Sequence, residues 1–470
     1  LLNLVNGQGF SNELHYQLGT GDITLDAADT LAVNASTLVA DSGDITVNGT
    51  ILAAGTMPYI GLFANNNLTL AATASLTSSQ TGDSPYNKTL FELSAVTGAL
   101  TLADGHTLSA NNDVTQSAEL RLIAPMRSDQ TGMDLSISNH NLTGFDQIVA
   151  IANKKYNYSD ITDASITTIK NGLSVFESNT DSIAAGLSGN GTTIDVTAGI
   201  EIYSNSDMTI AEVLDFSDWR YGTEQRAPYV SFRSAGNINI GSDTSAAVIS
   251  DGNDSDGILN DVHSASFKLI SGADLSSAYD STLLPVDQLS SPGNLKIFQG
   301  QEASMGALEP VRVDIEDLSG KVLVSYAFTT YHRSYYGVVR NDLVGSETEL
   351  TDCGLWAAAK NSSTINYLCS GGPSSQPFIP SGVRTGTGDI EIVSAGDIEF
   401  IDQTASIYTT GRNIGDGIEL DGLNRIKYGE QGGDISIYTG GDIIGAEYSG
   451  FINQWHWKTD GAVYTQDNGT

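Results

Sequence analysis

Basic residues are scarce in this chain: 470 residues hold only 21 Lys and Arg against 56 Asp and Glu, a formal net charge of −35. Phosphate backbones are gripped by Lys and Arg, so no nucleic-acid partner is expected, and adsorption to anionic lipid is disfavoured. No run approaches 18 consecutive apolar residues, so no membrane-spanning helix is expected either. Proline is rare (10 residues), and charged residues make up 16% against 40% hydrophobic. An acidic disordered tail would carry more charge and proline and less Ile, Val and Leu. An initiator Met, a basic leader and a cleavage motif are missing, so the sequence reads as a mature fragment or an internal slice of a longer polypeptide. Cysteine is limited to Cys353 and Cys369, 16 positions apart. In an exported protein that pair is expected to form one local disulfide; the competing reading is two buried thiols.

What the chain does have is glycine, 50 residues, arranged with a beat. A glycine and a polar residue precede an alternating apolar–polar triplet in Gly21-Asp22-Ile23-Thr24-Leu25 and Gly43-Asp44-Ile45-Thr46-Val47. The unit returns in Gly236-Asn237-Ile238, Gly293-Asn294-Leu295, Gly388-Asp389-Ile390 and Gly433-Asp434-Ile435. Alternation marks short strands with one buried face. Glycine at the corner is expected to supply a positive φ, and Asp or Asn to close an Asx turn. Gly21 to Gly43 is 22 residues and Gly388 to Gly433 is 45, two such steps. A period in the low twenties with strands and glycine corners predicts a solenoid. An eight-residue beat inside it (Gly388 to Gly396, Gly433 to Gly441) predicts two or three strands per rung. About 14 to 18 rungs would make a rod of roughly 65 to 90 Å at about 4.8 Å per rung. Strands opening at Ile23, Ile45, Ile238, Ile390 and Ile435 are expected to be parallel, on equivalent faces, with those Ile side chains inward. A β-sandwich array has no reason to repeat glycine at this interval, and a propeller would need a period near 40.

Three stretches break the beat. The resulting organisation is rungs over 1–143, an irregular insertion over 144–190, and rungs over 191–300 with a loop insertion at 211–233. An aromatic-rich, cysteine-containing insertion follows at 301–380, and rungs resume over 381–470. The ends, Leu1-Leu2-Asn3-Leu4-Val5 and Ala462-Val463-Tyr464, still look like strand, so the rod is expected to continue past both.

At 382–445, Val383-Arg384-Thr385-Gly386-Thr387-Gly388-Asp389-Ile390-Glu391-Ile392 leads to Ala395-Gly396-Asp397-Ile398, Ile407-Tyr408-Thr409-Thr410-Gly411-Arg412, Gly432-Gly433-Asp434-Ile435 and Asp442-Ile443-Ile444-Gly445. This block resembles the filamentous haemagglutinin-like exoproteins of Gram-negative bacteria, which leave the cell by two-partner secretion. Ser271-Gly272-Ala273-Asp274-Leu275 is a weaker echo, and the rest of the chain is similar only in style. The amino-terminal secretion domain of that family has no counterpart here. The resemblance implies a right-handed parallel β-helix, a secreted or outer-surface location, an outer-membrane secretion partner, and an adhesive or structural role.

Chemistry-bearing motifs are few. The six His residues are scattered; no His-Glu-x-x-His or Gly-x-Ser-x-Gly pattern occurs, so no catalytic residue is assigned and a non-enzymatic protein is expected. Asp251, Asn253, Asp254 and Asp256 put four side-chain oxygens in one short loop, a candidate calcium site competing with a plain solvated turn. No other cofactor is expected. Aromatics in the insertions, Trp219, Tyr221, Tyr331, Tyr335, Tyr336, Trp455 and Trp457, are the candidate ligand contacts, competing with a role as core caps. The expected function is an extracellular adhesin, filament or matrix component. Its partners would be glycans or proteins on host or neighbouring cells, or copies of itself. The alternatives are a polysaccharide-active β-helix enzyme, which would need carboxylates converging in a groove with a nearby Lys or Arg, and a phage tail-spike segment.

Overall fold

The computed structural model describes residues 11–81, 88–111, 117–189, 191–251, 263–298, 381–401, 405–409, 411 and 432–446, and the backbone of five strands between 301 and 379. The protein is all-β, a parallel β-helix with insertions. Its first face is one parallel sheet of 11 strands: Glu13–Leu18, Ala35–Ala40, Tyr59–Ala64, Lys88–Ala95, Ser117–Pro125, Gln147–Asn157, Asp195–Ser204, Tyr229–Ser234, Ser266–Ser271, Ile390–Ser394 and Ile435–Thr439. The second and third faces are shorter strands, each face split into two sheets: the third is interrupted where the helices intervene, the second between Leu135–Ile137 and Asp160–Ile161. Described rungs number 11 rather than 14 to 18, because insertions and long corners take up chain that the period alone assigns to rungs.

Inside the coil, alternate side chains from successive rungs stack. Ile23, Ile45 and Leu68 pair in register on the second face, and Leu62, Leu93, Leu122 and Ala150 on the first. All are buried, and each fully buried Leu or Ile stabilises by roughly 1.5–3 kcal/mol over exposure. Four of the five marker isoleucines point inward, but they do not share a face. Ile23, Ile45 and Ile238 open second-face strands, whereas Ile390 and Ile435 lie on the first. The glycine-Asp-Ile unit marks a corner before either face, which is why it can recur after eight residues. Ile435 is the exception on burial: it is 42% exposed, on the last described rung.

The corner glycines have a different cause from the one expected. Only Gly21 and Gly293 among them have positive φ. A Cβ on Gly43 would sit 2.0 Å from the Gly21 carbonyl oxygen, and one on Gly433 1.9 Å from that of Gly388. Glycine recurs because successive rungs touch backbone to backbone there. The neighbouring Asp or Asn bonds to the next rung rather than closing its own turn. The amide of Asp44 donates to Asp22 Oδ1 (2.9 Å), that of Asn67 to Asp44 Oδ1 (3.0 Å), and that of Ala99 to Asn67 Oδ1 (3.0 Å). The ladder resumes through Asp207, Asn237, Asn294, Asp397 and Asp442.

The insertions are narrower than expected. Within 144–190, Gln147–Asn157 is a first-face strand, and only the helices Asp163–Asn171 and Ser174–Leu187 depart from the coil. They stand where this rung lacks a third-face strand, and bury Ile166, Ile169, Phe176 and Ile183. Within 211–233, Val213–Asp215 and Tyr229–Ser234 are rung strands, leaving 216–228 as the loop. Within 301–380, Pro310–Glu316, Val322–Thr330 and Arg333–Arg340 form a three-stranded antiparallel sheet, and Gln301–Glu302 pairs antiparallel with Phe378–Ile379 at its neck.

Candidate functional site

The expected site residues do not come together. Trp219 and Tyr221 are only 3% and 4% exposed, so these two are core rings rather than ligand contacts. Trp219 packs on Phe216 (centroids 5.0 Å apart) and Tyr221 on Phe176 of the second helix (5.8 Å), so the loop's aromatics seal the apolar interior beneath the helices. Tyr335 and Tyr336 lie in the strand Arg333–Arg340 of the antiparallel insertion. Tyr331, Trp455, Trp457, Cys353 and Cys369 lie outside the described residues, as do Asn253, Asp254 and Asp256. Asp251 is fully buried, and its carboxylate receives Arg220 Nη2 (2.9 Å), Arg220 Nη1 (3.0 Å) and the Ala265 amide (2.7 Å). Among the described residues no group of three His, Cys, Asp or Glu side chains is placed to hold a metal.

What the structure does assemble is a polar groove on the outer face of the long sheet. Tyr229 Oη donates to Glu119 Oε1 (3.2 Å) from three strands away, and Arg121 Nη2 meets Asp389 Oδ2 (3.4 Å) from five. Five flat spacings would be about 24 Å, so the sheet curls with its outer face concave. Residues 272–294, a strap between the ninth-rung strands Ser266–Ser271 and Leu295–Ile297, cross the concavity to the opening rungs. There the Ala278 amide donates to Asp41 Oδ1 (3.0 Å) and Gln17 Nε2 to Ser277 Oγ (3.2 Å). Tyr279 packs on Phe63 (4.6 Å) and His15 (5.8 Å). The enclosed groove has a volume of about 530 Å³, within the 300–1,000 Å³ span usual for small-ligand pockets.

Its walls are tyrosines and paired charges. Glu119 accepts from Lys88 (2.7 Å) and Arg121 (2.7 Å); Glu201 from Lys155 (2.9 Å) and Arg233 (2.8 Å). Lys268 bridges Asp280 (2.6 Å) and Glu391 (3.1 Å), with Tyr279 under its ammonium at 5.6 Å. Burial alone would raise the Glu119 carboxyl, but Arg121 and Lys88 outweigh it and hold the group well below the carboxylate range. At Asp280 burial is likewise outweighed, by Lys268 and Arg233. Glu92 goes the other way. Burial raises it, and the more distant Lys268 and Arg121 only partly oppose the shift. Its hydrogen bond comes from Tyr59 Oη (3.3 Å), and it makes no ion pair among the described residues. Burial also raises the Tyr279 hydroxyl to about 12, so it stays a donor at neutral pH. On the groove floor Ser231 stands in register between Glu201 and Lys268, its Oγ buried without a hydrogen-bond partner.

The sequence reading missed this site because alternation marks which positions face outward but not which polar residues the curl gathers there. On the long strands those positions hold Glu, Arg, Lys and Tyr. Such an arrangement can orient a small polar ligand by hydrogen bonds and stack it on rings. Compared with known proteins, the chain matches no family model, no curated protein and no solved structure.

Proposed function

We propose that this chain is an extracellular or cell-surface β-helical adhesin, a structural rod that engages glycans or proteins of a neighbouring surface through the groove of its long sheet. The observation that carries this reading is the disposition of the groove charges. Glu119, Glu201, Asp280 and Glu391 are each paired with the chain's own Arg or Lys, Asp280 and Glu391 sharing Lys268. Held this way they fix the shape of a binding surface and are poorly placed to move protons. The likeness of 382–445 to filamentous haemagglutinin-like exoproteins supports the same reading and brings with it an outer-membrane secretion partner.

A second reading, a polysaccharide-active enzyme, is favoured by Glu92. It is a carboxyl raised by burial inside a groove that also holds Arg121 and Lys268. One experiment separates the two. Purified chain is applied to an array of surface polysaccharides, and soluble products are assayed for new reducing or unsaturated ends. Retention without product formation is the expected result. Turnover abolished by Glu92→Gln would replace the adhesin with the enzyme.

A further inference from the structure

Six carboxylates line the groove (Glu13, Glu92, Glu201, Asp280, Asp389 and Glu391) against two cations, Arg121 and Lys268. Including the flanking Glu119, Lys88, Lys155 and Arg233, the balance is still seven acids to five bases. The field therefore disfavours an anionic ligand such as a uronate or a sulfated sugar. Every one of those five bases is already in contact with a carboxylate. Glu13 is an exposed residue at the first described rung, so Glu92 is the enclosed acid that the chain leaves without a cation.

Around Glu92 the groove supplies the rings and hydroxyls of Tyr59, Tyr229 and Tyr279, with Arg121 already over the Tyr229 ring (5.1 Å) and Lys268 over that of Tyr279, together with the unpartnered Ser231 Oγ. The chain fills one such position itself. Lys268 places an ammonium between Asp280 and Glu391 over the Tyr279 ring. Carboxylate plus aromatic face is what stabilises a desolvated ammonium. At Glu92 the carboxylate is met by the Tyr59 hydroxyl (3.3 Å), and among the described residues no ammonium of the chain stands beside it.

We propose that the groove binds a short saccharide bearing a free amine, a hexosamine unit whose ammonium pairs with Glu92 while its ring stacks on the tyrosines and one hydroxyl reaches Ser231. This rests on the groove being the adhesin's ligand site and adds the ligand's class. A buried carboxylate given a cation gains a charge-assisted hydrogen bond, whereas an acetylated or hydroxyl counterpart leaves it unpaired.

The test is calorimetric titration of the full chain with a fully deacetylated glucosamine trimer, its N-acetylated counterpart and a neutral glucose trimer. The amine trimer should bind at least tenfold more tightly than the other two. Glu92→Gln should erase that preference while circular dichroism shows the fold retained, and Ser231→Ala should weaken all three trimers by a few fold. Equal binding of the three, or an unchanged preference in Glu92→Gln, would overturn the amine and leave the groove as a general glycan site. Failure of every trimer to bind, with adhesion to whole glycans intact, would overturn the groove as the place of recognition. Loss of adhesion altogether would overturn the adhesin reading as well.

Discussion

The two faces of the long sheet use the same strands, offset by one residue, and they are held by different forces. Toward the coil, Leu120, Leu122, Phe232 and Phe267 stack in a dry core. One residue away, Glu119, Arg121, Arg233 and Lys268 face the groove, where Arg233 is as buried (1% exposed) as the core rings. On the apolar side a truncation costs the lost burial plus the cavity that partial relaxation leaves behind. On the polar side deleting one member of a buried ion pair costs because the other is left desolvated and short of a partner. The inner face therefore makes the rod, and the outer face sets its curvature. Five of the chain's 21 basic residues, Lys88, Arg121, Lys155, Arg233 and Lys268, are concentrated on that concave side.

The sharpest way to break the comparison is to hollow out the inner face. Phe267, 1% exposed and 5.5 Å from the Phe216 ring, should cost about 3–5 kcal/mol as Phe267→Ala. Denaturant unfolding would check this, and a cost below about 1 kcal/mol would mean the inner face is not packed as described.

On the outer face, Glu119→Gln takes from the buried Arg121 its nearest carboxylate, leaving it Asp389 at 3.4 Å, and returns the part-exposed Lys88 to solvent; the change should cost about 2–3 kcal/mol at neutral pH. Its pH dependence has a defined sign. The folded Glu119 carboxyl lies below its unfolded value of about 4.3, so its contribution is complete above that pH and drains away as pH falls through the folded value. Asp280 adds to the same acid-side loss. Melting curves of wild type and Glu119→Gln should therefore differ most at neutral pH and converge on acidification. A gap that widens in acid would reverse the assignment.

The smallest effect belongs to neither face. Asp44→Ala removes one rung of the corner ladder, where Asp44 Oδ1 takes the Asn67 amide, and should cost about 1 kcal/mol. Hydrogen exchange should show faster protection loss at Asn67, with little change on the long sheet.

Most of the coil was legible because its signals are local. A period near 22 residues, alternation by two and glycine corners specify strands and rungs within a few residues of chain. The two helices were not read, since 144–190 was expected to be irregular, yet their signal is local too. Ile166, Ile169, Leu173, Phe176, Thr180 and Ile183 follow a three–four spacing behind the capping pair Thr162 and Ser165. The groove was not legible. It depends on the sheet's curl, which brings Glu119 to Tyr229 across 110 residues, and no local pattern encodes that closure. Trp219 illustrates the converse. An aromatic in a loop reads as exposed until the helices that cover it are placed.

The strap changes how the molecule can come into being. In a simple solenoid each rung meets only its neighbours, so order can spread from either end as the chain becomes available. Here Gln17 and Ser277 bond across 260 residues, and Asp41 and Ala278 across 237. The rungs can stack one after another, but the strap's contacts wait until the ninth rung has formed and residues 272–294 have reached back to the first three. Contacts at that separation in sequence have no local pairing to speed them. Order can therefore spread rung by rung along the coil, while the bridge from the ninth rung to the opening three forms only once the rungs between them stand in place.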